Sequence, residues 1–266
     1  MSGENGPFGS RLGPLRTLLA ALAIGLAATW AGGCGSAGGD GRPELTVLAA
    51  SSLQSPLTAY GESLAKTELR QSFAGSDLLA AQIRNGARPD VYAAADTALP
   101  DRLFREGLVE KPRVFATNRL AIAVPAGSMI DGLSDLAAPD LSLILGDQGV
   151  PVGIYADRVL AKLPPDERER ILANVGSREP EASSIAAKLV QGAADAGIVY
   201  RTDIRAAGDL LKAIPIPDRL QPAIAYAAAA VTRAPEPELA RKYLDGLIGG
   251  EGAVRLRQAG FTPPGR

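Results

Sequence analysis

From residue 44 onward the chain alternates short apolar runs with amphipathic stretches, and this alternation restricts the fold more than any other feature. Residues 44–50 (ELTVLAA), 69–73, 90–95, 120–124 (LAIAV), 143–146, 196–200 (AGIVY) and 224–231 read as strands. Helical stretches lie between them: 53–67, the LLAAQIRNGA segment after Asp77, 99–107, and a helix opened by Pro151. In that last helix Tyr155, Val159, Leu160 and Leu163 form one apolar stripe, and Ile185, Leu189 and Val190 continue the theme further on. Leu239, Tyr243, Leu244, Leu247 and Ile248 stripe a final helix ended by Gly249-Gly250. The alternation predicts an α/β fold with a mostly parallel sheet covered by helices.

Composition narrows the chemistry. His is absent from all 266 residues and Cys occurs once. That removes His-based triads and proton shuttles, intramolecular disulfides and Cys-rich zinc sites. Lys and Arg number 28 against 29 Asp and Glu, so no basic excess exists to grip a phosphate backbone, and no nucleic-acid partner is expected. Serine, tyrosine, backbone amides and a few carboxylates remain, a set that suits binding better than bond-breaking. The length allows one large core or two medium lobes.

The first residues read as an export signal. Arg11 and Arg16 precede an apolar run over 18–28 that is too short for a membrane span, and small residues follow. Residues 1–33 are therefore expected to be a signal peptide. The segment Ala31-Gly32-Gly33-Cys34 resembles the bacterial lipoprotein box, with Ala31 where that box usually carries Leu. The resemblance implies lipidation of Cys34, against the plainer reading of a secreted chain with an incidental Cys. Residues 34–43 are Gly-rich and read as a flexible tether. The expected location is outside the cytoplasmic membrane, either periplasmic or anchored on its outer face.

Small or hydroxyl residues mark four strand-to-helix junctions: Ser51-Ser52, Gly75-Ser76, Ala94-Ala95 and 150–153. In open parallel sheets ligands bind beyond the carboxyl ends of the strands, and helix starts there offer unpaired N–H donors. Several aimed at one point would make an anion site of neutral donors. Taken singly, Ser52 and Ser76 are better explained as ordinary helix caps. Tyr200, at the end of an apolar strand, is on composition alone better explained as core packing with a polar tip.

Four blocks carry a family resemblance: TVLAASSL (46–53), SFAGSDLLAAQIRNGARPDVYAAAD (72–96), GDQGVPVGIYA (146–156) and DAGIVYRTD (195–203), closed by Gly260-Phe261-Thr262. In order and spacing they resemble the molybdate-binding proteins of bacterial ABC transporters, over nearly the whole chain from Leu45 to Pro263. The resemblance implies a two-lobed, class II periplasmic binding fold with the ligand cleft between lobes. Lobe I would comprise 44–121 plus 226–266 and lobe II 122–225, with strands crossing near 120–124 and 224–231. Carried across, the ligand contacts are the hydroxyls of Ser52 and Ser76, backbone amides at Ala95, Val152 and Ala182, and the phenol of Tyr200. Ser51 stands beside the first of these as an alternative. Asp203 and Arg201 are expected to be salt-bridge or capping groups, and Asp90 and Asp96 to fix loops.

The implied function is capture of molybdate, and of tungstate, for delivery to a membrane permease. No cofactor, no direct metal-cation site and no catalysis are expected, and a monomer is. A fully deprotonated dianion accepts hydrogen bonds and donates none, so neutral donors complement it, whereas hydrogen phosphate also needs an acceptor. Sulfate shares the charge and proton state, and only cavity size separates it. Rival readings are a binder of another oxyanion such as sulfate, an anion-sensing receptor, and an exported enzyme on the same fold. The enzyme would need a Ser–Lys or carboxylate pair, and none of the six Lys lies in the matched blocks.

Overall fold

The computed structural model describes residues 42–265. The expected signal peptide, Cys34 and all but the last two residues of the tether lie outside them. Among the described residues, no helix is long and apolar enough to cross a membrane.

The first half of the fold begins with β1 (Glu44–Ala50), α1 (Gln54–Glu62), β2 (Glu68–Ala74), α2 (Ser76–Arg84), β3 (Val91–Ala94), α3 (Ala98–Arg105) and β4 (Arg113–Asn118). The chain then passes to β5 (Leu120–Pro125), β6 (Leu143–Gly146), α4 (Pro151–Leu160), α5 (Pro165–Ala173), β7 (Val175–Glu179), α6 (Ala182–Val190), β8 (Ala196–Tyr200), α7 (Arg201–Ala206) and β9 (Leu211–Pro215). It returns through β10 (Ile224–Ala230), α8 (Pro237–Gly249) and α9 (Glu251–Gln258). Two five-stranded sheets result, in the orders β2-β1-β3-β10-β4 and β7-β6-β8-β5-β9.

The sheets are mostly parallel, as expected, with one reversed strand in each. β1, β2 and β3 are mutually parallel, as are β6, β7 and β8, but β10 and β5 run antiparallel to both of their neighbours. The physical reason is topological. Strands joined by helical crossovers within one sheet come out parallel, whereas β5 and β10 enter each sheet directly from the other one. The short strands β4, β7 and β9 and the closing helix α9 were not anticipated, because their sequences (RVFATN, VGSRE, LKAIP) carry too few apolar residues to stand out.

Among the described residues, no strand runs through both sheets. The outward hand-over is the single residue Arg119, and the return lies between Pro215 and Ile224. The Gln221 side chain ties the two together, beside the ion pair of Arg119 with Asp218. Gln221 Oε1 accepts the Leu120 N–H at 3.1 Å, while its Nε2 donates to Leu120 O at 2.8 Å and to Ile216 O at 3.2 Å. The amide thus stands in for the partner that Leu120 lacks on the β9 side, where the ladder begins only at Ala121.

Burial explains why these strands lie where they do. Every residue of β3, β6 and β8 is buried, as expected for central parallel strands covered on both faces, and β10 is an alanine run that lets helices pack close above it. At 25 cal/mol per Å², each fully buried Leu or Ile in these layers contributes about 2 kcal/mol.

Candidate functional site

All six parallel strands end at one small cavity. It is lined by Ala50 and Ala74 at the ends of β1 and β2, by Ala95 just past β3, and by Tyr200 at the end of β8. Val150, Pro151 and Val152 follow β6, and Pro180, Glu181 and Ala182 follow β7. Ser51, Ser52, Gly75 and Ser76 complete the wall. The cavity is small, with room for a single small guest. The structure therefore brings together all six residues singled out from the sequence: Ser52, Ser76, Ala95, Val152, Ala182 and Tyr200. Ser51 also lines the wall, so it is not separated from Ser52 by position alone.

The cavity is built from helix starts. α2 begins at Ser76, α4 at Pro151 and α6 at Ala182. Their first-turn N–H groups have no acceptor within the helix and carry the positive end of its dipole. Pro151 fits the first turn because that position needs no donor. Gly153 is demanded by close packing, since a Cβ there would lie 1.9 Å from Asp147 O. Gly75 is demanded by contact between the two halves, since its Cβ would lie 2.7 Å from Pro180 O.

The side-chain donors differ in what they already hold. Ser76 Oγ accepts the Ala95 N–H at 3.1 Å, which leaves the serine proton to donate elsewhere. In this structure the Ala95 amide is thereby engaged with the serine. Ser52 Oγ lies 3.0 Å from the Tyr226 hydroxyl. Tyr200 is 1% exposed, and its hydroxyl has no hydrogen-bond partner. Burial first, and then the nearby Tyr226, Tyr155, Asp203 and Asp96, push its phenol well above the usual range, so it keeps its proton.

Among the described residues, no Lys or Arg lines the cavity. Glu181 does, but its Oε1 accepts from Ser184 Oγ at 3.5 Å, on its own helix. Asp90 does fix loops: it accepts the N–H groups of Thr46 and Glu236, each at 2.7 Å. Asp96 accepts the Leu99 N–H at 3.2 Å, and burial raises its carboxyl to about 6. Asp203 departs from the expected salt bridge or cap. It sits in the first turn of α7, its Oδ2 is buried without a partner, and burial raises it to about 7 against its own backbone hydrogen bond. The Arg201 N–H donates to Arg119 O at 2.9 Å. Among the described residues, no group of three or more acidic or thiol side chains could hold a metal ion.

Sequence reasoning missed Asn118 and Tyr226, which stand behind Ser52. Tyr226 had a visible signal, being the one polar-tipped ring in the run IAYAAAA. Asn118 had none, since its role depends on where β4 ends.

The model of bacterial extracellular solute-binding proteins matches residues 45–262. The chain belongs to this family. Among its relatives, the molybdate-binding protein ModA of Mycobacterium tuberculosis is 32% identical to this solute-binding protein over 232 residues, covering 85% of this chain and 87% of the relative. The ModA of Escherichia coli is 25% identical over 232 residues, covering 82% and 89%. In fold, this solute-binding protein is similar to the periplasmic molybdate-binding protein of Azotobacter vinelandii, with a TM-score of 0.71, 22% identity, and coverage of 83% of this chain and all of that one. It is as similar to the sulfate-binding protein SubI of M. tuberculosis, with a TM-score of 0.72, 18% identity, and coverage of 84% and 87%. The fold is thus the α/β periplasmic binding fold, and it does not by itself separate one tetrahedral anion from another.

Proposed function

We propose that this chain captures molybdate, and with it tungstate, outside the cytoplasmic membrane and delivers it to the permease of an ABC transporter. One observation carries the reading: Tyr200, its buried hydroxyl without a partner, lines a small cavity ringed by helix starts and serines, with no Lys or Arg among the described residues that line it. A dianion that accepts from every side complements such a wall, and neutral donors hold it without a counter-charge. The relatives named molybdate-binding, at up to 32% identity, support that choice of anion over sulfate.

In this reading Ser52, Ser76 and Tyr200 donate through their hydroxyls, and Val152 and Ala182 through backbone amides. Ala95 acts one step back by holding Ser76. The halves built on the two sheets are the two lobes, hinged at Arg119 and in the return segment between Pro215 and Ile224. Ligand favours the closed form because it touches both. The protein works as a monomer without catalysis, held to the membrane by a lipid on Cys34 through the Gly-rich tether.

A thermal melt with molybdate, tungstate, sulfate and phosphate in turn tests the proposal. At about 100-fold over Kd a ligand adds roughly 2.7 kcal/mol of stability, a rise of about 5–10 °C at this size. A rise with molybdate and tungstate alone supports the reading. A rise with sulfate alone would change the ligand, and no rise with any of the four in folded protein would sink it.

A further inference from the structure

We propose that Asn118 and Tyr226 are positioning residues that hold Ser52 as a one-way hydrogen-bond donor toward the bound oxyanion. The inference rests on the oxyanion reading above and deepens it.

The direction of each bond follows from what its atoms can do. Asn118 is the last residue of β4, beside the hand-over at Arg119. Its Oδ1 accepts the Arg119 N–H at 2.9 Å, which settles which end of the amide is nitrogen. Nδ2, a donor only, then points its two protons at Thr202 Oγ1, 2.9 Å away, and at the Tyr226 oxygen, 3.3 Å away. Tyr226 is fully buried, so its own proton needs an acceptor inside the protein. Ser52 Oγ, at 3.0 Å, supplies it. The opposite arrangement, with Ser52 donating to Tyr226, would strand a buried phenol proton.

With the phenol donating, the Ser52 proton is turned away from Tyr226, and Ser52 lines the cavity. The ring that does this is itself held edge-on by Phe115, Tyr200 and Phe261, at centroid distances of 6.2, 5.7 and 5.2 Å. Burial also keeps the phenol protonated, pushing it well above its ordinary range. Ser76 is treated alike, since the Ala95 N–H fills one of its lone pairs from behind. Both serines are therefore supplied with a donor on the protein side. The wall is suited to an anion that accepts and unsuited to one that must also donate.

A double-mutant cycle on the full chain tests the inference. Molybdate is titrated calorimetrically into the wild type, Tyr226→Phe, Ser52→Ala and the double variant, with the ligand-free Tm of each recorded. Phe keeps the three ring contacts and removes only the phenol oxygen. Tyr226→Phe is expected to weaken molybdate binding about three- to ten-fold, and to cost less than about twofold once Ser52 is already Ala. A merely structural role would lower Tm and weaken binding by the same factor in both backgrounds, and that result overturns the inference. So does unchanged affinity in folded Tyr226→Phe. Should Tyr226→Phe fail to fold, Asn118→Ala replaces it in the same cycle. It is expected to lose about two- to five-fold, again only while Ser52 is present, and equal losses in both backgrounds overturn the inference. A wild type that binds molybdate with additive variants overturns this inference alone. A wild type that binds none of molybdate, tungstate and sulfate overturns the oxyanion reading and the inference with it.

Discussion

The two sheets share one topology yet supply the cavity differently. In each, three parallel strands lead into it, an antiparallel strand arriving from the other sheet lies next, and a short strand closes the edge. The half built on β1–β3 offers serine hydroxyls, each with a hydrogen-bond partner behind it. The half built on β6–β8 offers the starts of α4 and α6 and one unpartnered phenol. Hydroxyls rotate and must be oriented by neighbours, whereas amides are aimed by the backbone itself. The first half should therefore be sensitive to the residues behind it. The second should be sensitive to whatever lets its helices start where they do.

Gly153→Ala should give the largest effect and breaks the second half at its weak point. A Cβ placed 1.9 Å from Asp147 O cannot be accommodated unless the start of α4 moves. We expect a stability loss of about 3 kcal/mol, seen as a lower Tm, and molybdate binding weakened more than about a hundred-fold as the amides of the first turn lose their aim. A variant that binds normally would mean that these amides do not hold the anion.

Tyr200→Phe comes next and isolates the side-chain donor of the second half. Its hydroxyl has no partner in the ligand-free protein, so removal should leave the ligand-free Tm unchanged or slightly higher. Affinity should fall by roughly 1.5–3 kcal/mol, the range for a hydrogen bond to a charged group. Ser76→Ala, in the first half, should weaken binding by about 1–3 kcal/mol. It should also lower the ligand-free Tm, because it leaves the Ala95 N–H without its acceptor. Equal Tm effects in the two variants, measured by calorimetry, would erase the distinction between the halves.

This difference explains what could be read from the sequence. Strands buried on both faces, such as AGIVY and LAIAV, were legible because apolar runs of that length have few other uses. The cavity residues were legible because helix starts after parallel strands converge in this topology, and the quoted blocks resemble a known family. The orientation of the donors was not legible. It depends on Asn118 meeting Tyr226 across 108 positions, and on Tyr226 meeting Ser52 across 174. The antiparallel β5 and β10 were equally hidden, since direction within a sheet is set by where the previous strand ends.

Each half also buries a carboxylate with a raised pKa. Asp96 stands at about 6 and accepts the Leu99 N–H, while Asp203 stands at about 7 with one oxygen unpartnered. Both start from an ordinary value of 3.8. A folded pKa raised above the unfolded one means that the native state binds more protons across the interval between them. Stability therefore falls as pH rises through that window and levels off above it. Asp203→Asn should remove the penalty of the buried charge and stabilise the protein by about 1–2 kcal/mol at pH 8, with the gain vanishing near pH 4. That figure is discounted because the new amide is also left short of a partner. Asp96→Asn should gain less, since burial raises its carboxyl less far than that of Asp203. Melts of both variants across pH 4–8 provide the check, and a gain from Asp203→Asn that grew toward pH 4 would contradict the assignment.

Val152→Ala should change affinity least, and for that reason it is the most direct test of a backbone donor. The side chain is buried and faces Gly146, where a built Cβ would lie 2.6 Å from Val152 Cγ1. Removing its methyl groups should cost about 1–2 kcal/mol of stability through lost packing. The amide itself is unaltered, because Gly153 and Pro151 still fix the start of α4. Molybdate affinity should then stay within about twofold of the wild type, even as Tm falls. Stability and affinity part company in this variant only if the second half binds through its main chain. A fall in affinity as large as that of Ser76→Ala would show that the valine side chain shapes the cavity, and the contrast between the two halves would have to be redrawn around size rather than donor type.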